Sequence, residues 1–592
     1  MTKWVCCLAF LVCVNQAIEG QDRPDVLVGE VLSAIGLTTA DLSLRGDYLL
    51  DPDRLPITRA LLESPLDARQ IVDGLGLNVE AISSVVGLNM GIRYLGWGEG
   101  ETGRQNREPI PLPGLSEPLR LVLAPLVWEL AICRMRIETE FGLCVGQDRN
   151  RLTGLLSVVD PERQLSEWGV DSLLGIARAV GKEPFAEGAK QVLVARDRFL
   201  RQVVLLPEGV FPNTPITIST LAGQVVVGSL GNDRYENYAA LIVDPGGNDV
   251  YVGVGGVTSA SVPVSLCLDL AGADVYTGAQ GLGLMGVGIV TDLAGNDRYQ
   301  ADRAGQGSGL LGVGILEDRG GDDVYHGGLG VQGFGLFGIG LLVEYGGNDR
   351  YEADLLGQGA AGPGGIGLLF EVSGDDVYEA GGRYRDFRES GAYFQSMSQG
   401  FGLGIRPIAS GGLGVLVDAE GGDTYRVGYF GQGGSHWAGT GILLDRSGDD
   451  FYEARRYAQG CGSHLAVGLL FDEAGDDAYL LWGVGQGCGH DLSLGCLFDR
   501  SGNDRYRATW LAQGAGHANG IGWLDDGEGA DQYQAERGDT QGFGSSSRDY
   551  GSLGLLIDRG GADLYSGQKH EGRLWEKGDS GVGLDAPLKP TH

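Results

Sequence analysis

The chain has 592 residues, 105 of them glycine, with an apolar share of 43% and a formal net charge of -34. That apolar share is close to that of an ordinary globular protein, which excludes a collagen-like or disordered chain. So acidic a body is repelled by nucleic acid and by anionic membrane surfaces, and divalent cations are its natural counterweight.

The N-terminus reads as an export signal: Lys3 supplies the positive start, Trp4 to Val14 the apolar stretch, and cleavage is expected after Ala17 or Gly20. The apolar run is too short to span a bilayer. Residues 1–20 are therefore expected to be removed. With no later membrane span in the sequence, the expected location is the periplasm, the cell surface or the extracellular space. Cys13 lacks the small preceding residue of a bacterial lipoprotein signal. The cysteines that remain, Cys133, Cys144, Cys267, Cys461, Cys488 and Cys496, are too few to staple a chain of this length. Cys133 and Cys144 either pair or stay single as small core residues.

Residues 21–205 read as a non-repetitive α-helical domain. Leu173, Leu174, Ala177 and Val180 share one helical face with Gly181 as the stop, and Leu119 to Arg136 is a second amphipathic candidate. Pro-rich and Gly-rich breaks such as Pro109 to Gly114 divide the helices. The first histidine is His326, so this part holds no His-based catalytic triad.

Residues 206–567 form a repeat. The element Gly-x-Asp-x-Tyr occurs thirteen times, with its aspartates at Asp233, Asp249, Asp274, Asp297, Asp323, Asp349, Asp376, Asp423, Asp450, Asp477, Asp504, Asp531 and Asp563. Five residues before each, except the first, stands another acid: Asp244, Asp269, Asp292, Asp318, Glu344, Glu371, Asp418, Asp445, Asp472, Asp499, Asp526 and Asp558. A Gln-Gly pair follows the tyrosine, at Gln306, Gln332, Gln358, Gln432, Gln459, Gln486 and Gln513, with Gln280, Gln399 and Gln541 in irregular coils. From Asp423 to Asp531 the aspartates are spaced by 27 residues.

Such a unit is too short for a propeller blade and lacks the leucine frame of a leucine-rich repeat. Three short strands with tight turns fit it, giving a mainly β fold: a parallel β-solenoid of about 27 residues per coil, preceded by the helical domain. Aspartate and tyrosine two apart face the same way, with the tyrosines placed toward the core. Glycines mark corners, glutamines are expected to form an amide ladder, and about twelve coils make a rod of roughly 55 to 60 Å. The helical domain is expected to cap one end of the rod and the C-terminal tail, residues 568–592, the other.

Carboxylates stacked every ~4.8 Å repel by roughly 0.9 kcal/mol per adjacent pair even in water. Calcium suits them, because it takes six to eight oxygens in flexible geometry. The alternative is metal-free: the first acid accepts backbone N–H groups in an Asx-type turn and the second caps the corner. The turns Gly246-Gly247-Asn248-Asp249-Val250-Tyr251 and Ala294-Gly295-Asn296-Asp297-Arg298-Tyr299 resemble the calcium-binding nonapeptide of RTX, or haemolysin-type, repeats. That resemblance covers about six residues of each coil and implies calcium held between coils by the two aspartate columns. An acid here replaces the family's first glycine, tyrosine replaces its aliphatic residue, and one turn occurs per coil instead of two consecutive ones.

Two smaller constellations break the repeat. His436, His464, His490 and His517 follow Gln-Gly in successive coils, and Cys461 and Cys488 stand two residues after the glutamine. They form either a transition-metal site of imidazole and thiolate or a packing ladder. Between Asp376 and Asp423 the step grows to 47 residues, and the first inserted loop carries Arg383, Tyr384, Arg385, Phe387, Arg388, Tyr393 and Phe394. This is a partner-binding shoulder for an anionic sugar or a protein, or a loop docked on the rod's own carboxylates. Gly307-Ser308-Gly309-Leu310-Leu311-Gly312 and Gly578-Asp579-Ser580-Gly581 are chance matches to a dinucleotide fingerprint and a protease nucleophile segment.

Evenly repeated acids suit a scaffold better than an enzyme, which breaks its repeat at one place. The expectation is an exported structural or adhesive binding protein with a calcium-stabilised solenoid and a polysaccharide or cell-surface protein as partner. The alternative is a carbohydrate-active solenoid enzyme, a lyase or glycoside hydrolase, on fold analogy alone.

Overall fold

The computed structural model describes residues 24–44, 51–75, 83–97, 110–143, 150–163, 165–547, 551–566 and 572–586. The export signal and Cys144 lie outside the described residues. From Ile216 onward the chain winds into a parallel β-solenoid. In a typical coil Val313–Asp318 lies in one sheet, the Asp323 turn leads to Val324–Leu329 in a second, and Gly335–Leu336 forms a short third strand before Ile339–Glu344 returns to the first. We call these sheets A, B and C. Sheet A has 16 strands and sheet B has 14; sheet C consists of two-residue strands in runs of three and five. Pairing is in register along the stack, so that Tyr299 faces Tyr325 and Tyr325 faces Tyr351.

Alternation along a strand decides what fills each side of sheet A. In Ile339–Glu344, Leu342 turns inward to the tyrosines and Glu344 accepts the Tyr325 hydroxyl, whereas Ile339 and Leu341 face out of the coil. The inward glycine between them is obligatory: a Cβ on Gly340 would lie 2.2 Å from the Phe334 carbonyl oxygen, and one on Gly314 2.0 Å from that of Ser308. Sheets A and C therefore pack backbone to backbone on that side of the coil.

The outward residues of sheet A are apolar, and the N-terminal helices cover them. We number these helices α1 (Pro24–Ala34), α2 (Pro56–Glu63), α3 (Ala68–Asp73), α4 (Ser84–Leu95), α5 (Glu117–Leu143), α6 (Glu167–Ala179) and α7 (Glu183–Val203). Helix α1 touches Gly581–Asp585, α2 touches Val467–Asp472, α4 touches Ile339–Glu344 and Ile366–Glu371, α7 touches Val287–Asp292 and Val313–Asp318, and α5 touches Val264–Asp269. The chain thus runs backward along the rod before entering it. The expected end cap is corrected to a lateral cover, because a sheet apolar on both faces must be buried on both. Glycines let α4 approach closely: a Cβ on Gly91 would stand 2.8 Å from Ile339 and one on Gly87 2.9 Å from Leu341. Helix α6 starts at Ser166, whose Oγ accepts from Gly169 N at 3.1 Å, and buries Leu173, Leu174 and Ala177. Cys133 is a free, buried thiol against Gly188.

Antiparallel strand pairs finish the rod at both ends. Ile216–Ser219 pairs with Gln224–Val227, and Leu574–Glu576 pairs with Gly581–Asp585. The segment expected as a tail therefore supplies the final strands of sheet A, and the edge it presents is a three-residue strand, too short to template further pairing well.

Polar contacts also fasten the helices to the rod. Arg196 of α7, 3% exposed, donates to Glu317 Oε2 at 2.8 Å and to Thr291 Oγ1 at 3.0 Å. Glu317 is the outward acid beside Asp318, and its carboxylate, despite its burial, is held below the usual range by Arg196. Removing Arg196 leaves the buried Glu317 carboxylate with only the Ser84 hydroxyl and the more exposed Arg319, at 2.9 Å, to offset its charge. Arg196→Met alone is expected to lower the unfolding free energy by about 3–5 kcal/mol, while Arg196→Met/Glu317→Leu together recovers most of the loss, as read by urea denaturation.

Candidate metal centre

The turn between sheets A and B gathers three columns of side chains. Each tyrosine is buried and stacked on the next, for instance Tyr299 on Tyr325 at 4.7 Å between centroids and Tyr425 on Tyr452 at 4.8 Å. Each hydroxyl donates to the first-column acid of the following coil: Tyr276 to Asp292 at 2.7 Å, Tyr299 to Asp318 at 2.6 Å and Tyr452 to Asp472 at 2.8 Å. The other oxygen of the first-column acid takes a backbone N–H two residues on in several coils, as from Gly246 to Asp244 at 2.7 Å and from Ser447 to Asp445 at 3.2 Å. These are Asx-type turns, as the metal-free alternative requires of the first acid.

The second column behaves differently. Its Oδ1 accepts the backbone N–H of the equivalent aspartate one coil earlier: Asp323 N to Asp349 at 2.6 Å, Asp450 N to Asp477 at 2.7 Å and Asp504 N to Asp531 at 2.7 Å. The remaining oxygen, Oδ2, is buried without a donor in Asp249, Asp274, Asp297, Asp323, Asp349, Asp376, Asp423, Asp450, Asp477, Asp504 and Asp531. Asp563 ends this column with its Oδ1 on Asp531 N at 2.8 Å. Donor-less buried carboxylate oxygens are costly, and their recurrence in coil after coil marks a feature of the design.

These oxygens converge. Two second-column aspartates and the first-column acid between them bring carboxylate oxygens within 4.8 Å of one another, as in Asp233-Asp244-Asp249, Asp249-Asp269-Asp274, Asp274-Asp292-Asp297, Asp297-Asp318-Asp323 and Asp323-Glu344-Asp349; seven further ligand groups occur among the described residues. A cation with metal–oxygen distances of 2.3–2.6 Å fits between oxygens so spaced. The donors are carboxylates, with no imidazole or thiolate among those named, which suits a hard cation.

Their environment makes bare charge unfavourable. Burial is the first cause in each case: it pushes Asp274 and Asp499 up to about 6, Asp349 and Asp531 to about 7, Asp450 to about 8 and Asp504 to about 9, while Asp472 and Asp526 rise well above the usual carboxylate range. An acid whose pKa is raised by folding binds more protons folded than unfolded between its two values. Its stabilising effect is complete below the unfolded pKa and is lost as pH rises through the folded one. Freed of divalent cations, the protein is therefore expected to have its highest melting temperature near pH 4 and to lose stability progressively between about pH 4 and pH 9, measured by differential scanning calorimetry.

The glutamines are structural, but they form no ladder. Gln332 Nε2 donates to the Tyr325 carbonyl at 3.1 Å and to the Glu352 carbonyl of the next coil at 2.9 Å, and Gln432 does the same with Tyr425 and Glu453. The expected amide-to-amide pairing is replaced by capping of two sheet-B carbonyls. Each sits at positive φ, 51° in Gln332 and 49° in Gln432, before a glycine also at positive φ. That sharp corner points the side chain into the coil.

The histidines come together on sheet C. His490 and His517 stack at 5.1 Å with their Nδ1 atoms 3.1 Å apart, and His464 Nδ1 lies 2.7 Å from Asp491. Burial, aided by His464, Arg388 and Arg406, pushes the His436 imidazole down to about 3. Cys461 and Cys488 lie instead in a buried apolar cluster with Val484, Leu511 and Ala515, where burial raises the Cys461 thiol well above its usual range.

The inserted loop lies against the rod. Arg383 reaches Glu162 at 3.0 Å and Asp354 at 3.6 Å, and Tyr384 is buried. Arg388 pairs with Asp386 and sits 5.0 Å from the ring centre of Phe430 and 5.7 Å from that of Tyr457. Glu389 holds Arg455 and Arg456. Arg385 and Phe387 remain outside, Phe387 at 86% exposure. A groove of about 750 Å³ opens beside this loop on the outer face of sheet B, a site that the repeat pattern did not signal because its residues are those that vary between coils. None of the helices among the described residues is long and apolar enough to cross a membrane. No protein-family model, curated protein or solved structure matches the chain.

Proposed function

We propose that the protein is an exported, non-enzymatic binding or adhesive scaffold whose solenoid is held by a column of divalent cations, calcium above all. The observation that carries this is the row of buried Oδ2 atoms without donors, each beside the carboxylates of its own and the adjacent coil. Calcium supports the reading better than magnesium, since it accepts many protein oxygens in variable geometry, whereas magnesium keeps several waters and an octahedron. A cation between coils ties each turn to the next, and an adhesive or structural rod gains its stiffness there.

The test is removal and return of the metal. Protein stripped with a chelator at pH 8 is expected to melt at least 10 °C lower than protein in millimolar calcium, and elemental analysis of the loaded form to return several calcium ions per chain. Each site filled at a hundred times its dissociation constant adds about 2.7 kcal/mol. Asp450→Asn/Asp477→Asn is expected to reduce the count and the calcium-induced shift. Equal melting temperatures with and without calcium, together with no bound metal, would end this reading.

A carbohydrate-active enzyme is the second reading, and one observation favours it. Glu352 and Asp354 lie two apart on one strand and both line the groove, a separation of roughly 6.6 Å along the backbone. Burial raises Asp354, while hydrogen bonds from Arg350 and His326 hold Glu352 below its usual range against the effect of its own burial. Carboxyl groups with opposed shifts are the pattern of an acid and a base. New reducing or unsaturated ends released from a polysaccharide by the wild type but not by Asp354→Asn would establish it.

A further inference from the structure

The groove on sheet B crosses the stack from the coil of His326 to that of Glu536, roughly 30 Å at ~4.8 Å per coil. Its floor is built from outward positions on either side of an inward one: the residue after each tyrosine and the residue three after it. In the first column the register gives His326, Glu352, Glu379, Arg426, Glu453, Leu480 and Arg507. Acceptors and planar donors therefore follow one another at coil spacing.

The upstream half of this surface is already engaged. Arg426 lies 3.2 Å from Glu379 and 3.5 Å from Glu453, Arg350 joins Glu352 and Glu379, and His326 lies 2.9 Å from Glu352. Arg455 is held between the rings of Tyr393 and Trp482, at 4.2 and 4.1 Å, and hydrogen-bonds Glu389. Downstream, apart from the Trp482 face that Arg455 covers, the groups are unspent. Trp482 is 40% exposed, and among the described residues no side-chain hydrogen bond or ion pair is made by Arg507, Thr509 or Glu536. Indole, guanidinium, hydroxyl and carboxylate thus surround one stretch of groove, beside an aromatic stack that the inserted loop completes through Tyr393.

The geometry points to a binding site for a linear, uncharged, hydroxyl-rich glycan, centred on Trp482, Arg507, Thr509 and Glu536 and continuing toward Arg426 and Glu379. This deepens the binding reading by naming the ligand class, and it is independent of the cation column. Three arguments select that class. Carboxylates outnumber guanidinium groups in the groove of a protein carrying a net charge of -34, which disfavours a polyanion. Sheet-B strands have parallel neighbours on both sides through these coils, so an extended peptide finds no free strand edge to extend. A sugar hydroxyl both donates and accepts, which suits walls where acceptors and donors alternate, and the apolar faces of Leu480 and Trp482 take the ring carbons.

The test uses the full mature chain in millimolar calcium, titrated with hexasaccharides of a neutral β-glucan, a neutral mannan and a neutral xylan, and with polygalacturonate and chitosan oligomers, by isothermal calorimetry. At least one neutral hexasaccharide is expected to bind, and Trp482→Ala and Arg507→Ala are each expected to weaken it tenfold or more with melting temperatures within a few degrees of wild type. No neutral hexasaccharide bound, binding only to the charged oligomers, or unchanged affinity in both variants would overturn the assignment. Because the calcium-loaded melting temperature is measured alongside, loss of glycan binding is separable from any failure of the cation column.

Discussion

The structure depends on one contact repeated along the rod: the backbone N–H of each second-column aspartate donates to the carboxylate of its counterpart in the next coil, as from Asp423 to Asp450 at 2.6 Å. That bond fixes the vertical register of the turn, and with it the register of everything the turn precedes. It also forces like charges together, because the acceptor that locks one coil is itself the donor residue of the coil above. A chain held this way must supply protons or cations wherever the carboxylates are buried. The link between fold and charge is therefore direct: the same atoms that set the coil spacing create the demand for protons or cations.

The tyrosines make the crowding tolerable without removing it. Each hydroxyl gives one first-column oxygen a donor, and the rings fill the narrow space between sheets A and B that glycine-rich strands leave open. Tyr506 shows how tightly the columns interlock, reaching both Asp499 at 3.0 Å and Asp526 at 2.7 Å. The hydroxyls satisfy one oxygen of each first-column acid and leave Oδ1 of Asp418, Asp472, Asp499 and Asp526 without a donor; the Oδ2 atoms of the second column face the shared space and receive nothing from the protein. Under the proposed reading, protonation and metal binding would compete for that space, the raised carboxyl groups taking protons at pH 5 and a cation at pH 8.

Repetition made much of this legible from the residues alone. The 27-residue period, the two acid columns and the inward tyrosines follow from spacing, because a stacked coil turns a sequence interval into a vertical neighbour. The lateral position of the helices has an equally physical reason. Strands such as Thr440–Asp445, with Ile442, Leu443 and Leu444 in succession, carry apolar residues on both faces, and that pattern demands a cover along the side of the rod. An end cap buries only one coil. The glutamine column was visible while its partners were not, since a side chain at positive φ turns inward to backbone carbonyls and leaves no mark in the side-chain pattern. The groove was hidden because its residues, Glu352, Arg426, Trp482 and Thr509 among them, are those that differ from coil to coil.

That contrast separates two kinds of position. Inward residues and turn acids are constrained by the coil above and below, so they repeat; outward residues of sheet A are constrained by the helices, so they stay apolar. The outward face of sheet B is largely bound by neither, apart from contacts such as Arg303 with Asp160 at 2.6 Å, and there the coils are free to differ. The long inserted loop enters on this face, and its Glu389 reaches across to Arg455 and Arg456 two coils' worth of sequence away. A rigid, cation-demanding interior and a variable, loop-edged outer face are complementary consequences of one arrangement. What the coils share sets the rod's interior, and the side on which they differ is where the proposed binding would reside.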